Sequence, residues 1–381
     1  MSETKSATGG TDGNVGGPYR VMVVDDSAVI RGLLTRALEK DSSIKVVASV
    51  GNGETAIKAL DRHDIEVIIL DIEMPVMDGL TALPKLLAAQ PGVQVIMAST
   101  LTRKNAEVSL RALQAGAADY LPKPSTTSEL TGTDAFQREL VEKVKALAKA
   151  ARPSRLVARS TDAVAPARVA SAGICPKRTI TLRKASAALP RIIAIGSSTG
   201  GPQALLEVLR DMAASIKLPI LITQHMPATF TTLLAEHIER ATGVPCAEGK
   251  DGETISAGRI YLAPGNFHMV VERVGSGSVI RLNQDPAENF CRPAVDPMLR
   301  SMAGIYGSSL LTIILTGMGS DGRKGATEVV EAGGTVIAQD EATSVVWGMP
   351  GVVATSGLCS AVLPIKEIGP SVRKLVMRSA A

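Results

Sequence analysis

Two sets of side chains in this sequence have types and spacings that could do chemistry. One lies in the second half, where Gly196-Ser197-Ser198-Thr199-Gly200 fits the G-x-S-x-G pattern with Ser198 at its centre. Ile192-Ile193-Ala194-Ile195 before it reads as a buried strand, and Pro202 followed by Gln203 to Leu209 reads as the start of a helix. A hydroxyl in such a turn is exposed on a rigid backbone, beside N–H groups that can stabilise negative charge. A plain Gly/Ser turn would look similar. A phosphate loop would need the Lys of G-x-x-x-x-G-K-[ST] or the G-x-G-x-x-G spacing, and neither is present. Two further apolar strands end in polar residues. Leu218 to Gln224 runs into His225, and Leu310 to Leu315 runs through Thr316-Gly317-Met318-Gly319-Ser320 to Asp321. At one sheet edge these would supply a nucleophile, a base and an orienting carboxylate. The order Ser…His…Asp is not the Ser…Asp…His of α/β-hydrolases, so that fold is excluded. His63 falls in the first half and His237 in the middle of a helix. His268, after the Pro264-Gly265 turn, rivals His225 as base. Strand order leaves both open, with His225 ahead because it ends the strand after the serine strand.

The other set lies in the first half. Arg20 to Asp26 is an apolar strand ending in Asp25 and Asp26, and Ile65 to Asp71 is another ending in Asp71. Val93 to Ala98 ends at Ser99, and Ala117 to Leu121 is followed by Pro122-Lys123-Pro124. Three crowded carboxylates repel unless a cation neutralises them, and hard oxygen ligands without His or Cys favour Mg²⁺. A Lys and a hydroxyl beside them suit a transferred phosphoryl group.

The elements that must position these residues alternate between strand and helix in both halves. That pattern predicts parallel, doubly wound sheets whose polar strand ends meet at one edge. In the first half the helices are expected at Ala28–Lys40, Thr55–Leu60, Gly79–Ala89, Asn105–Ala115 and Phe136–Ala150, with a kink at Pro84. With 381 residues two domains are expected, and aromatics at 2% leave the cores to aliphatic residues. No run of eighteen apolar residues exists, so no transmembrane helix or membrane insertion is expected. Met1 to Pro18 has no apolar region and reads as a disordered tail, not a signal peptide. The four cysteines are dispersed, which argues against zinc and a disulfide framework and for a cytoplasmic setting. Ala151 to Arg191 holds nine Lys/Arg and one acid, while the rest of the chain holds 32 basic and 36 acidic residues. The folded parts are thus slightly acidic, against nucleic-acid binding, and 151–190 reads as a flexible basic linker.

Residues 19–150 resemble the response-regulator receiver family, through Asp25-Asp26, Leu70-Asp71-Ile72-Glu73-Met74-Pro75-Val76-Met77-Asp78-Gly79 and Lys123-Pro124. The resemblance implies that a histidine kinase phosphorylates Asp71. Asp26, Asp71 and the Glu73 carbonyl would bind Mg²⁺ with Asp25 nearby, and Lys123 would pair with the phosphoryl group. Ser99 and Tyr120 match the switch positions. Residues 191–381 resemble the catalytic domain of chemotaxis protein-glutamate methylesterases. The matching stretches are Ile195 to Gly201, Gln224-His225-Met226-Pro227, Ala263-Pro264-Gly265, Leu315 to Gly322 and Val346-Trp347-Gly348-Met349-Pro350-Gly351. This implies that Ser198 attacks, His225 is the base, Asp321 orients it, and the Met318 N–H helps form the oxyanion hole. Ser197 stands where the family often has Ala.

The expectation is therefore an α/β chain: a flavodoxin-like receiver, a flexible linker and a Rossmann-like methylesterase domain. It would demethylate γ-glutamyl methyl esters on chemoreceptors, deamidate receptor glutamines, and need no cofactor for the esterase reaction. A binding module gated by phosphorylation, with a vestigial active site, is the reading of a different class.

Overall fold

The computed structural model describes residues 17–100, 102–123, 134–161 and 180–377. The expected tail over 1–18 falls almost wholly outside these residues. Five strands of the first half, β1 (Tyr19–Val24), β2 (Ile44–Val50), β3 (Val67–Asp71), β4 (Gln94–Thr100) and β5 (Asp119–Lys123), form one parallel sheet. Their order is β2-β1-β3-β4-β5, with β3 buried throughout. Helices start where the sequence supplies caps: Ser27, Asn52, Asp78 and Thr102 each accept a backbone N–H from the following first turn. Pro84 lies inside the helix Gly79–Ala89 without ending it.

The second half adds β6 (Ile192–Ser197), β7 (Ile220–Gln224), β8 (Cys246–Glu248), β9 (Ile260–Leu262), the hairpin β10 (His268–Val274) and β11 (Gly277–Asn283), β12 (Leu310–Ile314), β13 (Thr335–Gln339) and β14 (Ala361–Leu363). All but the hairpin form a seven-stranded parallel sheet ordered β14-β13-β12-β6-β7-β9-β8. Chain direction across each sheet reverses between β1 and β3, and between β6 and β12. Crevices at such points are where open α/β sheets bind ligands.

The helix expected over 136–150 is longer and takes in the first residues of the expected linker. The helix runs from Asp134 to Thr161. Ala, Arg and Leu in the added turns favour the extension, and Pro153 opposes it. Residues 162–179 are not among those described. From Ile180 the chain lies on the second half: Ile180 packs against its core, the Arg183 N–H donates to the Cys359 carbonyl at 2.8 Å, and the Ser186 N–H donates to Thr335 Oγ1 at 3.0 Å.

The two halves touch through β5 and the helix Arg103–Gln114, which packs on the helices Ala228–Thr242 and Gly201–Met212. Tyr120 is buried there, its ring stacked on Phe230 with centroids 4.3 Å apart. Gln203 Nε2 donates to the carbonyls of Leu113 at 2.8 Å and Ala117 at 2.7 Å. One apolar cluster runs across the contact without a break. No helix of the described residues is long and apolar enough to cross a membrane.

Candidate active site

Ser198 follows β6, His225 follows β7, and Asp321 lies in the loop after β12. The turn holding Ser198 is fixed from several sides. Its N–H donates to the Thr316 carbonyl at 3.1 Å, and its own carbonyl accepts from Gly201 N at 2.7 Å and Gln224 Nε2 at 2.9 Å. Gly200 takes a left-handed φ of 75°, which a side chain would strain. Gly317 lies so close that a Cβ there would sit 2.9 Å from Ser198 Cβ. Ser197 is fully buried, and its hydroxyl donates to Gln224 Oε1 at 2.7 Å. It therefore braces Gln224, and Ser198 is the half-buried hydroxyl of the turn.

His225 Nε2 lies 2.7 Å from Asp321 Oδ2, and its Nδ1 lies 3.3 Å from Cys291 Sγ. Burial opposes a charge on the imidazole, but Cys291 and the Asp321 carboxylate outweigh it and raise the His225 pKa to about 10. Asp321 also accepts N–H bonds from Val295 at 2.6 Å, Asp296 at 3.0 Å and Gly322 at 2.9 Å, and one from Asn289 Nδ2 at 3.1 Å. Burial works against its ionised form, yet the bonds from His225 and the backbone hold its pKa below the usual carboxylate range. Asp296 is pushed the other way, to about 6, by burial and by the charge of Asp321. His268, the rival base, is buried elsewhere. One of its nitrogens contacts the Pro286 carbonyl at 3.2 Å and the other accepts the Ala294 N–H at 3.2 Å.

Ser198, His225, Met318 and Asp321 line a cavity of about 890 Å³, whose far wall is built by Tyr120, Pro122, Arg138 and Lys143 of the first half. Thr199, next to Ser198, donates its hydroxyl to Asp119 Oδ2 at 2.7 Å across the contact. Lys143 is buried between Asp119 at 3.2 Å and Glu139 at 3.0 Å. Burial disfavours its charge, but those two carboxylates raise its pKa.

At the other sheet edge Asp25, Asp26 and Asp71 bring carboxylate oxygens within 4.8 Å of one another, the only such cluster among the described residues. Lys123 Nζ reaches Asp25 at 2.5 Å and Asp71 at 2.6 Å. Burial raises the Asp71 pKa, Lys123 opposes this, and the Asp25 charge adds to it. One lysine thus leaves an excess of negative charge on an all-oxygen donor set, which fits Mg²⁺. Glu73 is exposed at the rim, its carboxylate 3.4 Å from Lys104. Ser99 is buried, with its hydroxyl 3.1 Å from Ser109 Oγ.

Sequence reasoning missed Gln224, Asn289, Cys291, Asp296 and the Asp119–Thr199 bond. Gln224 directly precedes His225, so its nearness to the site was readable. The other contacts arise from loops and domain packing and carry no local signal.

Residues 193–372 match the family model for CheB methylesterase, and residues 21–133 match that for the response regulator receiver domain. A protein-glutamate methylesterase/protein-glutamine glutaminase of Azospirillum brasilense is 61% identical over 96% of this chain and 94% of that protein. One from a group 2 operon of Rhodospirillum centenum is 59% identical over 98% and 97%. The Thermotoga maritima CheB methylesterase catalytic domain, a crystal structure, is 40% identical over 49% of this chain and all of that one, with a TM-score of 0.48. The chain belongs to the family of receiver-linked protein-glutamate methylesterases/protein-glutamine glutaminases.

Proposed function

We propose that this chain hydrolyses γ-glutamyl methyl esters on chemoreceptors at the cavity holding Ser198, and that its receiver gates the reaction. The supporting observation is the pairing of His225 Nε2 with Asp321 Oδ2 at 2.7 Å, in a cavity that also exposes Ser198. With Nε2 held by Asp321, Nδ1 is the ring atom left to take a proton. Ser198 Oγ attacks the ester carbonyl as its proton passes to Nδ1, and the Met318 N–H steadies the oxyanion. The protonated imidazole then gives its proton to the departing methoxide, releasing methanol and leaving an acyl-enzyme. Water, deprotonated by the same nitrogen, hydrolyses that ester to a glutamate carboxylate. A glutamine side chain follows the same route and releases ammonia.

The receiver, over 19–150, and the esterase, over 191–381, are the two working units, joined by the basic segment between them. Asp71 accepts a phosphoryl group from a chemotaxis histidine kinase. Asp26, Asp71 and the Glu73 carbonyl would hold Mg²⁺, which when bound offsets charge during that transfer, with Asp25 close by. Lys123 pairs with the phosphoryl oxygens, and Ser99 and Tyr120 carry the change to the contact face. Such substrates place the enzyme in the cytoplasm, at receptor clusters.

Ser198→Ala loses nearly all methanol release from methylated receptor membranes. Ser197→Ala keeps the chemistry and lowers stability by about 1–3 kcal/mol, the cost of an unpaired Gln224 oxygen. The reverse ranking would move the nucleophile to Ser197.

His225→Gln slows turnover by about a hundredfold or more, the contribution of a general base. His268→Gln, at a ring that among the described residues bonds only backbone groups, costs far less. Steady-state rates on both variants decide between them, and equal losses would leave the base unassigned.

A base must be neutral to act. A His225 pKa raised to about 10 keeps the ring protonated at pH 7, so the rate of the unphosphorylated chain climbs as pH rises from 7 toward 10. A profile already flat at pH 7 contradicts this.

A small phosphodonor with Mg²⁺ speeds the whole chain and leaves Asp71→Asn unchanged. A fragment beginning at Ile180 outpaces the unphosphorylated whole chain and ignores the donor. If that fragment is no faster, the receiver does not act by covering the cavity.

A further inference from the structure

The hairpin Glu288–Cys291 has no task in the reaction described above. Glu288 and Cys291 exchange two backbone hydrogen bonds, of 3.2 and 2.9 Å. The two residues at its tip, Asn289 and Phe290, have φ of 51° and 63°, a region that Asn enters readily but a Phe side chain enters only under strain. Contacts hold the strain in place. Asn289 Nδ2 bonds Asp321 at 3.1 Å and Asp296 at 3.2 Å, and Glu288 pairs with Arg300 at 2.9 Å. The strained turn presents one group to the triad, the Cys291 thiol, 3.3 Å from His225 Nδ1.

That nitrogen is the one the mechanism reserves for Ser198, because Asp321 holds the other. No hydrogen bond from Ser198 Oγ is seen among the described residues. We propose that Cys291 is a positioning residue that holds the catalytic histidine at rest, its thiol occupying Nδ1 until Ser198 and substrate displace it. This rests on the reading of Ser198 and His225 as nucleophile and base.

The chemistry of sulfur suits the task. A thiol is a weak hydrogen-bond partner, so it fixes the imidazole without trapping it. At rest the ring is protonated, so sulfur accepts the Nδ1–H and favours that resting form, and the ring must lose this proton before Nδ1 can serve Ser198. The buried cysteines Cys246 and Cys359 have no such partner: burial pushes each thiol up to about 12. The receiver touches the same hairpin, with the Arg138 guanidinium 4.7 Å from the centre of the Phe290 ring. Lys143 and Glu139 of that receiver helix face the cavity, and Asp296 stands behind Asp321. Among the described residues the imidazole itself bonds only Asp321 and Cys291.

The test uses the full chain, unphosphorylated, with methylated receptor membranes and methanol release across pH. Cys291→Ala raises kcat by about two- to tenfold, the range of one weak hydrogen bond, and leaves KM unchanged. It also moves the acid limb of the profile to lower pH, because the thiol that favours the protonated ring is gone. Cys291→Ser, with a stronger hydrogen bond, runs slower than the natural chain. A cysteine that serves only packing gives the opposite order, with Ala slower and Ser restoring the rate. That order, an unchanged Cys291→Ala, or a Cys291→Ser faster than the natural chain overturns the proposal. Ser198→Ala is assayed alongside. If it keeps its rate, the nucleophile reading fails, whatever the Cys291 variants do.

Discussion

An ionised carboxylate sealed from water persists only where donors replace its hydration. Asp321 is 1% exposed and collects five: three backbone N–H groups, the Asn289 amide and His225. Much of the second half is arranged to supply them. The helix Val295–Tyr306 begins where its first N–H groups point at Asp321, so the positive end of its dipole meets the charge. The loop after β12 lets Gly322 turn back with φ 85°, a conformation in which its N–H reaches the same carboxylate. Burial and the charge of Asp321 raise the pKa of Asp296 beside it, while the bonds from His225 and the backbone hold that of Asp321 down.

The same logic of shared space links the two halves. Each sheet gathers its reactive side chains at the point where strand order reverses, and β5 of the receiver sheet abuts the crevice of the other. Asp119 and Tyr120 therefore have two neighbourhoods. Behind them β5 ends at Lys123, which bridges Asp25 and Asp71. In front, Asp119 accepts from Thr199 and Tyr120 stacks on Phe230. A change of charge at Asp71 acts on Lys123, and Lys123 lies on the strand that holds both contacts. That is a short physical path between two states of one interface.

The legible part of this chain was whatever strand periodicity and strand ends encode. Both sheets could be read because apolar runs alternate with helical segments. Asp25, Asp71, Lys123, Ser198 and His225 could be found because each sits at or just past a strand's end. Asp321 lies several residues beyond β12 and still came within reach, because Gly317, Gly319 and Gly322 mark a tight loop. Asn289 and Cys291 did not, since a four-residue hairpin reaches the triad only through tertiary packing. The bracing role of Ser197, which stands where the family often has Ala, came only with its burial and its bond to Gln224. The helix to Thr161 was hidden because the run past Ala150 carries like charges and Pro153, and both read against a helix.

For the gating proposed above, magnitudes single out particular contacts between the two halves. The Arg103–Glu236 pair is exposed, at 73% and 46% for its two side chains, and such pairs contribute about 0–1 kcal/mol. The Tyr120–Phe230 stack is buried, and aromatic pairs of that kind add about 0.5–1.5 kcal/mol beyond their burial. The Thr199–Asp119 bond is buried too, and about 1.5–3 kcal/mol is ordinary for a hydrogen bond to a carboxylate. A tenfold shift between closed and open states needs about 1.4 kcal/mol. The two β5 contacts together exceed that amount, whereas the surface ion pair does not. Gating can thus be confined to a strand that slackens by a fraction of its contacts, with the apolar cluster around it left intact.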